Sequence, residues 1–365
     1  MTTNTRFFLS HGIFNEAEKI LLEFGNIKVS AFRYESGVEA LRLTNECGEI
    51  IVLPFHGQQI WSAKFYGRNL TMKSMFPEPK ATQFFTANYG AFFIHCGATA
   101  MGNPTPEDKH PLHGELPNAF YQQAYLTTSE DQKGKYVSVS GKYQHTIAFA
   151  HNYVAEPQVK FYEASSLLTI SMSITNLKQS EMDLMYLAHI NFRPVDQGRL
   201  VYSALPTPEH VWVRPYAPGM VVSPGYQKLI EDLAQHPEKH HIMKPENRFD
   251  PEAVFFIDYL ADEEGWAHTL QVLPDGSADY VRYQPAQLKK VLRWISRTGD
   301  QDALGMALPA TAESEGYLKE KTKGNIQVLE AGGRFFCEFE TGFLNAADAE
   351  KVEKKVERIL ASAKA

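Results

Sequence analysis

Between Leu168 and Thr175 the chain alternates without a break. Leu168, Ile170, Met172 and Ile174 are apolar, while Thr169, Ser171, Ser173 and Thr175 are short and polar. A period of two puts these sets on opposite faces of a strand. A helix would mix them around its axis. One face must therefore meet a core and the other need not, which is the habit of antiparallel sheets. Strand-like runs follow along the chain, some alternating and some apolar throughout, near residues 38–43, 50–53, 136–141, 146–150, 160–163, 182–191, 254–260, 269–273, 280–283, 304–308, 325–330 and 335–343. Turn chemistry separates many of these runs, as at Asn45-Glu46-Cys47-Gly48-Glu49 and Pro274-Asp275-Gly276-Ser277. No repeat, linker or low-complexity tract divides them. The expectation is a mainly β protein, one large antiparallel β-sandwich over residues 29–345.

Helical spacing is confined to a few places. Ser10 with Ile13, Ala17, Ile20, Leu21 and Phe24 predicts a helix over residues 10–24, within an N-terminal appendage of residues 1–28. A second helix is expected near residues 225–235, and a short helix or bend over 288–295. Asn345 is a good cap for a C-terminal helix over 346–365, where Val352, Val356, Ile359 and Leu360 recur on one face.

Charge and composition narrow the function. A net charge of -7 argues against a nucleic-acid surface and supplies no basic patch for a membrane. There is no apolar run long enough to span a bilayer, and the first residues lack a signal-peptide pattern. Cys47, Cys96 and Cys337 are far apart, with no CxxC pair, and read as reduced thiols. A cytoplasmic protein with a small-molecule partner is expected, as monomer or homodimer. P-loop, GxGxxG and GxSxG motifs are all absent, which removes the usual signals for nucleotide cofactors and serine hydrolases.

Three stretches carry candidate chemistry. In Met185-Tyr186-Leu187-Ala188-His189-Ile190-Asn191-Phe192-Arg193-Pro194, His189 and Asn191 share one face of an otherwise apolar strand. The loop His110-Pro111-Leu112-His113-Gly114-Glu115 holds two histidines. It offers no helix face to present them as metal ligands, so no metal is expected. In Phe336-Cys337-Glu338-Phe339-Glu340-Thr341, Glu338 and Glu340 share a strand face. An inward carboxylate there needs a partner or a function.

Taken in chain order, the three stretches resemble the aldose 1-epimerase (galactose mutarotase-like) superfamily, in a branch other than galactose mutarotase itself. The resembling motifs are His110-Pro111-Leu112-His113-Gly114, His189-Ile190-Asn191-Phe192 and Glu340-Thr341-Gly342, with Leu53-Pro54 and Gly57 of an early hairpin. The resemblance implies a sugar cleft on a β-supersandwich and cofactor-free exchange of α and β anomers by ring opening and closure. It implies Glu340 as the base on the anomeric hydroxyl and His189 as the acid on the ring oxygen. His113, Asn191, Arg193 and His110 would contact the sugar. The family's galactose enzymes carry an arginine upstream of the first histidine, whereas no arginine lies between Arg68 and Arg193 here. A carbohydrate-binding protein without catalysis, on the same fold, is the alternative.

Overall fold

Two antiparallel sheets, stacked face to face, form the body of the fold. The structure is a computed structural model, and residues 4–215 and 221–363 are described. One sheet has nine strands. It runs from Thr5–Phe8 through Gln123–Asp131, Gly134–Ile147, His151–Tyr162, Leu167–Asn176, Arg334–Leu344, Ala278–Tyr283 and Ala267–Val272 to Arg199–Tyr202. The other has thirteen. Its main path runs from Val211–Val213 through Ala253–Ile257, Lys290–Arg297, Asp302–Ala310, Met182–Ile190, Phe93–Ala98, Ile60–Phe65, Gly48–Val52, Glu39–Thr44 and Ile27–Arg33 to Lys19–Phe24. Among the described residues no helix is long and apolar enough to cross a membrane.

The interior is identified by aromatic pairs that cross between the sheets. Phe93 meets Phe339 at 5.6 Å between ring centroids, Tyr186 meets Phe335 at 5.8 Å, and Phe65 stacks on Phe161 at 6.4 Å. Leu168, Ile170, Met172 and Ile174 join this core, as their alternation requires. Fixing the interior fixes every face. Along Met182–Ile190, Tyr186 and Ala188 point inward, so Leu187 and His189, with Asn191 just beyond, point out of the thirteen-stranded sheet. Along Arg334–Leu344, Cys337 and Phe339 point inward, so Glu338 and Glu340 point out of the nine-stranded sheet.

The C-terminal helix forms as expected, over Ala346–Ser362, with the Asn345 side chain accepting from the Asp348 amide at 3.0 Å. Its Ala349 and Val356 pack on Leu270, Val272, Ala278, Tyr280 and Leu344, on the outer face of the nine-stranded sheet. The helix over Tyr226–Gln235 also forms.

Two expectations fail. Residues 10–24 are no helix, and the described residues 4–28 form no helical appendage. His11–Ile13 is a single 3-10 turn, Lys19–Phe24 is the edge strand of the thirteen-stranded sheet, and Thr5–Phe8 is the edge strand of the nine-stranded one. The two-residue connection Gly25-Asn26, with Gly25 at φ 59, folds Lys19–Phe24 back on Ile27–Arg33 as a hairpin. Residues 288–295 are not a helix either. Lys290–Arg297 is a strand, with Leu292, Trp294 and Ser296 on one face and Val291, Arg293 and Ile295 on the other.

Candidate active site

The outer face of the thirteen-stranded sheet carries a cavity of about 270 Å³. The strand Met182–Ile190 brings Leu187 and His189 to its floor, the adjacent Asp302–Ala310 brings Leu308, and the next strand, Lys290–Arg297, brings Leu292, Trp294 and Ser296. Loops supply the walls: Phe85 and Tyr89 on one side, His113 on another, Arg214 and Glu252 at the far end. The rings are close-set. His189 lies 5.4 Å from His113, 5.5 Å from Trp294 and 5.8 Å from Tyr89, each edge-to-face. Phe85 closes the circle against His113 at 4.9 Å and Tyr89 at 5.0 Å. Flat apolar walls with a few convergent polar groups are the usual make-up of a small-molecule site.

His189 is only 4 % exposed. Its Nδ1 lies 2.7 Å from the Asn191 Oδ1. The Asn191 amide cannot turn round freely, because its Nδ2 donates to the Ala91 carbonyl at 3.0 Å. An amide oxygen only accepts, so Nδ1 carries the proton. Nε2 therefore keeps its lone pair, and it faces the Tyr89 hydroxyl at 3.4 Å. Burial pulls the His189 pKa down to about 4, against a smaller upward pull from Asn191. At neutral pH the imidazole is thus neutral and presents a basic nitrogen to the cavity.

His113 comes from a loop of unusual backbone. It sits at φ 60, its amide donates to the Gly102 carbonyl at 3.1 Å, and its carbonyl accepts from the Gly97 amide at 2.9 Å. Burial, then the neighbouring His189 and His110, lowers its pKa well below the ordinary histidine value. Its Nδ1 is buried without a protein partner. Glu115, two residues on, staples the loop to the sheet. It accepts from the Thr99 amide and hydroxyl at 3.1 and 2.9 Å and from the Tyr153 hydroxyl at 2.6 Å. Gly114 has φ 81, and a Cβ there would stand 2.3 Å from the Ala100 carbonyl oxygen and 2.4 Å from that of Gly97. Gly114→Ala is therefore expected to lower stability by about 2 kcal/mol or more, from left-handed strain and carbonyl contact together. Thermal unfolding checks this, and an unchanged midpoint contradicts it.

Asn118 Oδ1 accepts from Asn88 Nδ2 at 2.9 Å and from Gln59 Nε2 at 2.8 Å, both buried. This bond fixes the turn that carries Phe85 and Tyr89. At the far end Arg214 forms an ion pair with Glu252, whose other oxygen accepts from the Trp294 indole at 2.7 Å. Arg214 is the guanidinium of the cavity, and it comes from beyond His189 in the sequence.

The expected site residues divide. His113 and His189 meet in the cavity, and Asn191, fully buried, supports His189 from behind. His110 and Arg193 do not line it. His110 Nε2 accepts from the Tyr317 amide at 3.4 Å, and Arg193 Nε donates to the Thr71 carbonyl at 3.0 Å, so each braces a loop. Glu340 is on the wrong side of the molecule. It faces out of the nine-stranded sheet, in contact with Lys133 and with Arg282 Nε at 2.7 Å. Two sheets stacked about 10 Å apart separate it from His189, so the two are not an acid/base pair. The contacts missed by the sequence reading are Tyr89, Arg214, Glu252 and Trp294. None of the four stood out in the sequence; around Trp294 the residues 291–296 carry apolar side chains on both faces.

A family model described as a domain of unknown function (DUF4432) matches residues 35–207. No curated protein matches the sequence. A protein from Klebsiella pneumoniae subsp. pneumoniae, provisionally named an aldose 1-epimerase, superposes with a TM-score of 0.81 at 15% identity, over 98% of this chain and 96% of that one. A galactose mutarotase-like protein from Clostridium acetobutylicum gives 0.59 at 14% identity, over 88% of this chain and 99% of that one. A second provisionally named aldose 1-epimerase, from Escherichia coli K12, gives 0.51 at 13% identity, over 93% and 99%. The fold is that of the aldose 1-epimerase and galactose mutarotase-like proteins.

Proposed function

We propose that the cavity binds the ring of an aldose and that His189 interconverts its two anomers. The observation that carries this reading is the 2.7 Å contact between His189 Nδ1 and Asn191, which leaves a neutral Nε2 lone pair directed at the cavity. Nε2 takes the proton of the anomeric hydroxyl. The C1–O5 bond breaks as the C1 carbonyl forms, and O5 gains a proton. O1 and O5 share one carbon, so the imidazolium just formed is within reach of O5 and returns the proton there. The aldehyde turns about C1–C2, and closure by the reverse steps gives the other anomer. The Tyr89 hydroxyl and the N–H of neutral His113 donate hydrogen bonds to the developing charge. Glu252 and Arg214 hold hydroxyls further along the ring, and Trp294 and Phe85 offer flat faces to its C–H groups.

This assignment reverses the first half of the mechanism expected from the sequence. A histidine with a pKa near 4 begins the cycle as the base. It becomes an acid only after it has taken a proton.

One observation favours the second reading, sugar binding without catalysis. Glu252 is the one carboxylate lining the cavity among the described residues, and Arg214 and Trp294 already engage it. NMR exchange spectroscopy on free aldoses at anomeric equilibrium separates the two. Accelerated exchange of at least one sugar is expected. Saturation transfer to a sugar that exchanges only at its buffer rate would establish the binding reading instead. Neither effect, for any sugar, removes both.

A further inference from the structure

An open sheet has two edges, so this sandwich has four. An edge strand presents a row of free N–H and C=O groups, and soluble proteins usually blunt it with cover, charge or a bulge. Three of the edges are blunted. Along Arg199–Tyr202 the Leu200 amide donates to the His241 carbonyl at 2.7 Å, and Arg199 bridges to Ile242. Along Val211–Val213 the Val211 amide donates to the Thr207 carbonyl at 2.8 Å, and the helix Tyr226–Gln235 packs alongside. Lys19–Phe24 carries exposed Lys19 and Glu23 and a bulge between Ile20 and Leu22.

The fourth edge, Thr5–Phe8, is left open. All four residues are exposed, Phe7 by 48 % and Phe8 by 61 %. The strand pairs on one side, with Thr5 opposite Thr128 and Phe8 opposite Tyr125. The Leu9 amide donates to the Ala124 carbonyl at 2.9 Å, so the alternation of an antiparallel ladder turns Thr5 and Phe7 toward the same neighbour. The N–H and C=O groups of Arg6 and Phe8 therefore point away from the sheet, and none of the described residues meets them. The single charge does not guard this edge. The Arg6 guanidinium lies over the Tyr125 ring at 4.3 Å, and Phe8 rests on that ring at 5.6 Å. The sheet beside them is neutral, with Thr127 and Ser138 next to Arg6 and Ser140 next to Tyr125.

We propose that Thr5–Phe8 pairs with the same strand of a second copy of this chain, antiparallel about a two-fold axis at Phe7. In that register Arg6 of each copy faces Phe8 of the other. Each such pair exchanges two N–H···O bonds, four in all. On the outer face each guanidinium meets a phenylalanine ring and not another charge. On the inner face the two Phe7 rings meet in the closer, non-hydrogen-bonded position. An axis at Arg6 would set two guanidiniums opposite each other, and an axis at Phe8 would carry Arg6 past the end of the strand. Thr5-Arg6-Phe7-Phe8 is thus complementary to itself in one register. A foreign strand would need the same cation and ring at the same spacing, which this chain already supplies. The contact is smaller than the roughly 800 Å² per partner of a standard interface, so the dimer is a reversible, micromolar one. The two nine-stranded sheets run on as one across it. The His189 cavities, carried by the other sheet, take no part, so the pairing is independent of the proposed sugar chemistry.

Sedimentation equilibrium of the full-length chain, from micromolar to several hundred micromolar, is expected to show a reversible monomer–dimer equilibrium. Phe7→Asp sets two carboxylates against each other, and Phe8→Arg sets each new cation against an Arg6. Either change should raise the dissociation constant about tenfold or more. Both positions are exposed, so the fold should stand. A gain-of-link variant tests the register itself. Non-hydrogen-bonded partners have Cα atoms about 4.5 Å apart, within the span of a disulfide. Phe7→Cys should therefore link two copies under mild oxidation, whereas Phe8→Cys, which faces Arg6, should not. The native Cys47, Cys96 and Cys337 are buried, and the wild type serves as the blank. If Phe7→Asp fails to fold, Phe8→Arg and the cross-link decide. A wild type that stays monomeric throughout overturns the proposal. So does a dimer that the folded variants leave intact, or a Phe7→Cys chain that links no more readily than Phe8→Cys.

Discussion

Replacing His189 by alanine is expected to lower protein-dependent anomer exchange by ~10²-fold or more, the range usual for a general acid–base group. The fold should survive the change. The side chain points out of the sheet into an existing cavity, and its loss removes contacts with Tyr89, His113 and Trp294 without cutting the core behind it. The pH dependence tests the same assignment independently. The base form is the neutral imidazole, which burial keeps down to about pH 4. In the wild type, kcat/KM should therefore stay level from neutral pH to about 5 and fall as the pH drops through 4, not through the 6.5 of an ordinary histidine. Stability follows a related course. His56, His95 and His189 have folded pKa values lowered to about 4, 3 and 4, chiefly by burial. Unfolded, each takes up a proton near pH 6.5. The folded state thus loses ground as pH falls below about 6.5, and this loss levels off only below the folded values. An activity profile with its acid limb at 6.5, or an H189A rate within twofold of wild type, would remove His189 from the chemistry.

Glu340→Gln should do the opposite: leave exchange per folded molecule unchanged and weaken the fold. Glu340 is 3 % exposed and touches Lys133 and Arg282. Burial alone would raise its pKa, but the two cations outweigh burial and hold it below the ordinary glutamate value. Glutamine removes the charge both cations face. Fully buried pairs lose about 3–5 kcal/mol when one partner goes. Lys133 is half-exposed and relaxes into water, so a loss on the order of 2 kcal/mol is expected, read from chemical denaturation. Because the folded pKa is depressed, this contribution is present above the unfolded pKa and vanishes as pH falls through the folded one. A tenfold drop in exchange with an intact fold would return Glu340 to the site.

The contrast between His189 and Glu340 marks how far the sequence could be read. Both stand on strands whose alternation was plain, and both were rightly taken as polar residues on a defined face. Alternation says which residues share a face but not which side of a two-layer molecule that face looks from. That depends on which strands become neighbours, and the pairing of Arg334–Leu344 with Leu167–Asn176 is set by contacts over 150 residues apart in the chain. His113 was legible because Gly114 and the prolines mark a loop. Arg214, Glu252 and Tyr89 were not, because each follows or precedes an element by one or two residues and belongs to no pattern. The Lys19–Phe24 strand was misread although Gly25-Asn26 is a good hairpin turn, since Ile20, Leu21 and Phe24 also fit a helical stripe. The short sequence Leu292-Arg293-Trp294 misled for a related reason. A fully buried arginine, bonded to His240 at 2.6 Å and the Met306 carbonyl at 2.9 Å, gives a strand two non-polar-looking faces with a charge on one of them.

The Glu115 staple divides the loop around the site into two parts with different freedom to vary. From Gly97 to Ala100 and from His113 to Glu115 the backbone is bound to itself and to the sheet. Between them, Asn103, Pro104, Thr105, Pro106 and Glu107 form a surface excursion that lines a second cavity, of about 970 Å³, next to the site. On the proposed reading, substitutions in that excursion would alter ligand choice without shifting the imidazoles. On that reading, a lineage carrying this fold can exchange its choice of ligand while keeping the same pair of imidazoles in place.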